Sequence, residues 1–140
     1  MIHEEIRKIV LKAILEAYNT GLINGTSGNI AMRSPEDKNI IAITPSGIDY
    51  DGMIPGDIAI VRMNEDGTND WIDGNFKPSS EVPMHTAVMR ARPDVNATVH
   101  THSKYATICA MGNEPLLPIT PPHCEFTPIN VVKFIQPGSN

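Results

Sequence analysis

Basic residues are in the minority: 11 Lys and Arg stand against 16 Asp and Glu, a formal net charge of −5. Nucleic acid asks for a basic face, so it is excluded as the main partner. Anionic membrane surfaces are disfavoured on the same ground. No apolar run approaches the roughly 20 residues that cross a bilayer. The opening MIHEEIRKIV is charged throughout and has no separate apolar segment of the signal-peptide kind. With only two cysteines, Cys109 and Cys124, there is no disulfide framework. A reduced, cytoplasmic setting is the expectation. Charged residues make up 19% and hydrophobic ones 41%, a globular balance that excludes a disordered chain.

The 140 residues predict one domain with a real core, hiding about two thirds of its unfolded surface. Ile6, Ile9, Val10, Ala13, Ile14 and Ala17 recur at helical spacing, Glu4 and Glu5 suit the helix start, and Gly21 suits its end. GTSGNIAMR, from Gly25 to Arg33, reads as a glycine-containing turn running into a strand. Strands are expected at Asn39–Thr44 and Asp57–Met63, with a return strand near Trp71 and Ile72 after the NEDG turn. Lys77–Pro93 holds a second helix, with Ser79 or Ser80 as its cap and Pro83 tolerated only in the first turn. Asn96–Thr101 reads as a strand and Lys104–Met111 as a third helix with Cys109 in its core. The proline-rich stretch Pro115–Pro128 precedes a last strand at Asn130–Ile135. This order predicts mixed α/β with antiparallel hairpins. Pro-Gly-Ser directly after the last strand reads as a turn into a further element, so the chain is expected to belong to a longer fold.

The sharpest chemical signal is His100-Thr101-His102. Residues i and i+2 of a strand share a face, so two imidazoles can meet one metal ion. Two half-exposed histidines at a strand end would look the same. Ser79-Ser80-Glu81 at a helix start can cradle an anion, or simply cap the helix. The small-residue turns at Gly25–Asn29 and Thr44–Gly47 expose N–H groups and hydroxyls that suit phosphate. Neither turn matches a Walker loop or a dinucleotide fingerprint. His85, four residues after Glu81, shares its helix face and suits a supporting role. His123-Cys124 is a weak metal pair, and Ser, His and Asp are too scattered for a nucleophilic triad.

Taken together, GTSGNIAMR, ITPSGIDY, KPSSEVPMH and ARPDVNATVHTHSKYAT resemble, in order and spacing, the class II (zinc-dependent) sugar-phosphate aldolase/adducin-head family. The likeness runs from the first helix to about Gly112. It implies a three-layer α/β/α sandwich with a central, largely antiparallel sheet, incomplete at the C-terminus. The 140 residues then form one such domain, its N-terminal two thirds. Gly28 and Asn29 match the family's first phosphate loop, Ser46 and Gly47 the second, and Ser79 and Ser80 the third. Glu81 matches the catalytic acid/base, which also approaches the metal, and His100 and His102 match two of three zinc-binding histidines. The third has no counterpart within these residues. His85 falls where relatives also carry histidine, consistent with support of the site.

The resemblance further implies one Zn2+ per subunit and a homotetramer with active sites at subunit boundaries. The implied reaction is cleavage of a ketose 1-phosphate to dihydroxyacetone phosphate and a small aldehyde through an enediolate. L-Fuculose 1-phosphate is the substrate of the members nearest in motif. L-Ribulose-5-phosphate 4-epimerases share the retro-aldol logic but tend to carry Asp where Glu81 stands. Methylthioribulose-1-phosphate dehydratases share the metal site. Adducin heads keep the fold as interaction modules without the metal site, which His100, His102 and Glu81 argue against.

Overall fold

A computed structural model describes residues 2–113 together with Pro115 and Val132. Its contacts divide the chain into two compact units, Met1–His102 and Ser103–Asn140. The strand expected at Asn130–Ile135 and the proline-rich stretch before it lie, apart from Pro115 and Val132, outside the described residues, as do His123 and Cys124.

The first unit opens with helix α1, Glu4–Asn19. Its buried stripe is Ile6, Val10, Ile14 and Ala17, as the spacing predicts, but Ile9 is 49% exposed and Arg7 is buried in its stead. At 3.6 residues per turn, Arg7 flanks the stripe on one side and Ile9 lies beyond the other. Thr20 closes the helix by bonding the Glu16 carbonyl through both its N–H and its hydroxyl.

Five antiparallel strands follow: β1 Asn29–Arg33, β2 Ile40–Ile43, β3 Ala59–Met63, β4 Asn69–Asp73 and β5 Ala97–His100. Their spatial order is β4-β3-β2-β1-β5. The first four form a meander. Helix α2, Val82–Ala91, then carries the chain across to pair β5 with β1. The period of two sorts the side chains. Ile30, Ile40, Ala42 and Ile60 join α1 in one buried cluster, while Ala31, Ile41, Ile43 and Val61 join Val82 and Met89 of α2 in another. This is the α/β/α layering expected. Strand β2 is buried on both faces, which is why it reads as the unbroken apolar run IIAI.

In the second unit, helix α3 spans Lys104–Gly112 and ends on Asn113 in the left-handed conformation. None of its side chains is buried, and Cys109, expected in a core, is only half-buried. Among the described residues, no helix is long and apolar enough to cross a membrane.

Two buried arginines tie the layers of the first unit. The Arg7 guanidinium donates to the Ile58 carbonyl at 2.5 Å, to the Ile2 carbonyl at 3.0 Å and to Asp73 at 2.5 Å. It thereby joins α1 to the entry of β3 and the end of β4. Burial lowers its pKa and Asp73 opposes that shift. Arg33, at the end of β1, donates to the carbonyls of Lys38 at 2.6 Å and Met89 at 2.8 Å. Its own N–H bonds the Asn96 carbonyl at 2.8 Å, so it locks the α2–β5 connection against β1.

Arg7→Ala strands buried carbonyls and empties a large side-chain volume. It is expected to cost about 2–4 kcal/mol in urea unfolding. Asp73, 44% exposed, contributes a solvent-screened half of the ion pair, so Asp73→Asn should cost under about 1 kcal/mol. Equal losses in the two variants would contradict this account.

Candidate active site

One polar pocket of about 160 Å³ is lined by residues 26–29, 45–47 and 79–81 with His100 and His102. Every site residue singled out in the sequence borders it: Gly28, Asn29, Ser46, Gly47, Ser79, Ser80, Glu81, His100 and His102. Among the described residues, no Lys or Arg lines it.

Local chemistry explains each wall. The first loop turns at Gly28, whose φ is +82°. A Cβ there would lie 2.5 Å from the Ile23 side chain and 2.9 Å from the His100 carbonyl oxygen. Only glycine permits both the turn and this approach to the end of β5. The buried Tyr50 hydroxyl donates to the Gly28 carbonyl at 2.6 Å and fixes the turn. Burial pushes the Tyr50 phenol above its ordinary pKa. The second and third loops are stitched into a short antiparallel bridge at Pro45 and Pro78. Ser46 N–H donates to the Lys77 carbonyl at 2.9 Å and Ser79 N–H to the Thr44 carbonyl at 3.0 Å.

These bonds decide which donors remain for a ligand. The backbone N–H groups of Ser46 and Ser79 are consumed by the bridge. Glu81 N–H is taken by the Ser79 hydroxyl at 3.2 Å, and Val82 N–H by the Ser79 carbonyl at 3.2 Å. The N–H groups of Gly47 and Ser80 make no hydrogen bond among the described residues. The start of α2 therefore differs from the expected cap. The capping position is Glu81, not Ser79 or Ser80, with Pro83 in the first turn as predicted. Ser79 closes a local turn one step earlier, which leaves the Ser80 N–H unpaired beside the pocket.

His100 ends β5, and His102 lies just beyond the strand rather than within it. The two rings still meet, with centroids 4.8 Å apart. His100 Nδ1 is buried without a hydrogen-bond partner among the described residues. Such a nitrogen ordinarily finds one. An imidazole pair with an unsatisfied nitrogen beside a carboxylate is a donor set that fits a borderline cation such as zinc. Among the described residues, however, no three His, Cys, Asp or Glu side chains are gathered closely enough to enclose an ion. The structure thus brings the two histidines together and sets Glu81 on the same pocket wall.

His85 is fully buried on α2. Its pKa is lowered to about 4, by burial first and by His100 second. Its ring nitrogens lie 2.5 Å from Thr98 Oγ1 and 2.5 Å from Asn29 Oδ1. Sequence reasoning gave no role to Tyr50 or Thr98. Thr98 was findable, since it stands two residues before His100 on the same strand face. Tyr50 carried no signal beyond its place in ITPSGIDY, because its contact to Gly28 is made across the fold.

Residues 8–140 match the model of the Class II Aldolase and Adducin N-terminal domain. The chain belongs to this family. It is 41% identical over 115 residues to the 5-deoxy-D-ribulose 1-phosphate aldolase of Bacillus thuringiensis serovar kurstaki, covering 81% of this chain and 52% of that protein. It is 34% identical over 135 residues to a probable L-ribulose-5-phosphate 4-epimerase of Mycoplasma pneumoniae, covering 94% and 54% respectively. A solved L-fuculose 1-phosphate aldolase superposes with a TM-score of 0.72 at 34% identity, over 83% of this chain and 52% of that one. The chain thus spans about half the length of the relatives it matches.

Gly28→Ala combines a left-handed backbone position with a contact to the His100 carbonyl that cannot yield. It is expected to lower stability by about 2 kcal/mol or more. Gly21→Ala, at φ +74° with open space around it, should cost about 1 kcal/mol. Denaturant midpoints of the two variants check the ranking.

Proposed function

We propose that this protein is a metal-dependent aldolase that cleaves a ketose 1-phosphate to dihydroxyacetone phosphate and a small aldehyde. The observation that carries the reading is the convergence of three hydroxyl- and amide-bearing loops, one carboxylate and two imidazoles on a single small pocket. The loops supply neutral donors for a phosphate: the Ser46, Ser79 and Ser80 hydroxyls, the Gly47 and Ser80 N–H groups and the Asn29 amide. Holding the phosphate fixes the carbon skeleton beside Glu81, which replaces translational freedom by position.

His100, His102 and Glu81 would hold the metal, with zinc as the ion and one ion per subunit. When bound it supplies Lewis acidity to substrate oxygens. The remaining steps belong to the chain. In cleavage, the C4 hydroxyl gives its proton to ionised Glu81 as the C3–C4 bond breaks, and the electron pair passes to C3 and the C2 carbonyl. Glu81 then returns a proton to C3, giving dihydroxyacetone phosphate. In condensation Glu81 removes that same proton. Phosphate-loop contacts made at a distance from the bond being broken hold C3 within its reach.

The tail of the sugar decides the aldehyde. Relatives named for 5-deoxyribulose 1-phosphate and for L-fuculose 1-phosphate share the phosphorylated end and differ beyond C4. The 5-deoxy sugar is the first substrate to try, because the relative named for it is 41% identical. The match to an epimerase over 94% of the chain favours a second reading, C4 inversion by the same bond cleavage without product release. Glu81, in place of the aspartate expected of those enzymes, favours the aldolase. A cytoplasmic homo-oligomer, tetrameric in the full-length protein, completes the proposal.

The test combines metal content by elemental mass spectrometry with a coupled assay for dihydroxyacetone phosphate. Near one zinc per chain, lost in His102→Ala, and triose phosphate release from a ketose 1-phosphate are expected. Glu81→Gln should lower kcat by about 10²–10⁴-fold. C4 inversion without triose phosphate would replace the aldolase by the epimerase. Zinc-loaded protein that does neither would overturn both.

A further inference from the structure

We infer that His85 is a positioning residue: as its Nε2–H tautomer, set by Thr98, it holds Asn29 with its amide N–H₂ turned to the anion pocket. The inference rests on the phosphate reading of that pocket given above.

The β1–β5 register places the parts. Asn29 pairs with His100 and Ala31 with Thr98, so Asn29, Thr98 and His100 share the sheet face that α2 covers. His85 reaches down from α2 between Thr98 and Asn29, with both ring nitrogens at 2.5 Å from an oxygen. It is fully buried, so water cannot substitute for either contact.

A neutral imidazole has one N–H and one lone pair. Two arrangements satisfy it here. In the first, Nε2–H donates to Asn29 Oδ1 and Nδ1 accepts from the Thr98 hydroxyl. Asn29 then points its two N–H groups away from His85. In the second, Nδ1–H donates to Thr98 Oγ1 and Nε2 accepts from an Asn29 amide rotated by half a turn. Asn29 then presents its carbonyl to the pocket. Burial keeps the ring neutral, so the choice is real.

The pocket selects between them. Among the described residues it is lined by no Lys or Arg, and the Glu81 carboxylate borders it. Among the described residues that line the pocket, a phosphate finds only neutral hydrogen-bond donors in the three loops. The first arrangement gives it an amide donor. The second withdraws that donor and aims a carbonyl dipole at the anion, a double penalty. Asn29 lines the pocket, and its Nδ2 makes no hydrogen bond among the described residues, as the first arrangement requires.

The test uses ¹⁵N-labelled full chain, with inorganic phosphate as the probe. Long-range ¹H–¹⁵N correlation spectra are expected to show His85 with its proton on Nε2. Phosphate titration should shift the Asn29 side-chain amide. His85→Leu should weaken phosphate binding about tenfold. His85→Gln, whose amide N–H takes the place of Nε2–H, should stay within about threefold of the wild type. Thr98→Val, a near-isosteric change on β5, should weaken binding about threefold and mix the tautomers even if the His85 variants fold poorly. An Nδ1–H tautomer, or Thr98→Val and His85→Leu binding phosphate as tightly as the wild type, would overturn the relay. A wild-type chain with the Nε2–H tautomer that binds no phosphate would overturn the phosphate reading itself, and with it the purpose assigned to His85.

Discussion

The antiparallel pairing of β1 with β5 is the constraint on which the site depends. It sets Asn29 opposite His100, so the loop that ends at Asn29 and the histidine pair arrive at one end of the sheet together. A slip of one residue would turn Thr98 and His100 to the α1 side and separate them from α2. The register is held from both ends. At one end, Gly28 lies so close to the His100 carbonyl that no side chain fits between them. At the other, the Arg33 N–H bonds the Asn96 carbonyl just before β5 begins. A long crossover through α2 is thereby delivered to a fixed position.

Arginine serves this fold as mortar. Arg7 and Arg33 are almost wholly buried, and both spend their donors chiefly on backbone carbonyls. Those carbonyls lie in connections or, for Met89, in the last turn of α2, where backbone partners run out. The guanidinium offers several donors in a fixed fork and stays charged even when burial opposes it. Loops that would otherwise carry unsatisfied groups can therefore be packed.

Most of this was legible in the residues. Periodicity places α1, a β-branched apolar run places β2, and capping serines with flanking prolines place α2. Four short motifs place the three loops, Glu81 and the histidines, and all nine of those residues line one pocket. Four features were not legible, each for a physical reason. Arg7 belongs to the core because the carbonyls of Ile2 and Ile58 and the Asp73 carboxylate receive it, and a hydropathy pattern scores it as surface. Ser79 and Ser80 look like helix caps, yet the cap falls on Glu81 because the bridge to Thr44 holds Ser79 in an extended strip. His102 leaves the strand, since β5 has no ladder partner past the His100–Asn29 pair to keep it extended. The expectation for Cys109 failed because α3 buries none of its side chains among the described residues.

The proline bridge between the second and third loops bears on where the site can open. Neither Pro45 nor Pro78 has an N–H to lend, so the strip cannot grow into a ladder beyond the bonds of Ser46 and Ser79. Its two halves are distant in sequence, and closing the chain between them is an entropic cost that two bonds do not offset alone. The intervening β3–β4 hairpin shortens the effective loop between them. This strip of the pocket wall, held by two backbone bonds, is the part that can open while the sheet persists. Amide exchange at Ser46 and Ser79 is the clock by which such an opening would be read.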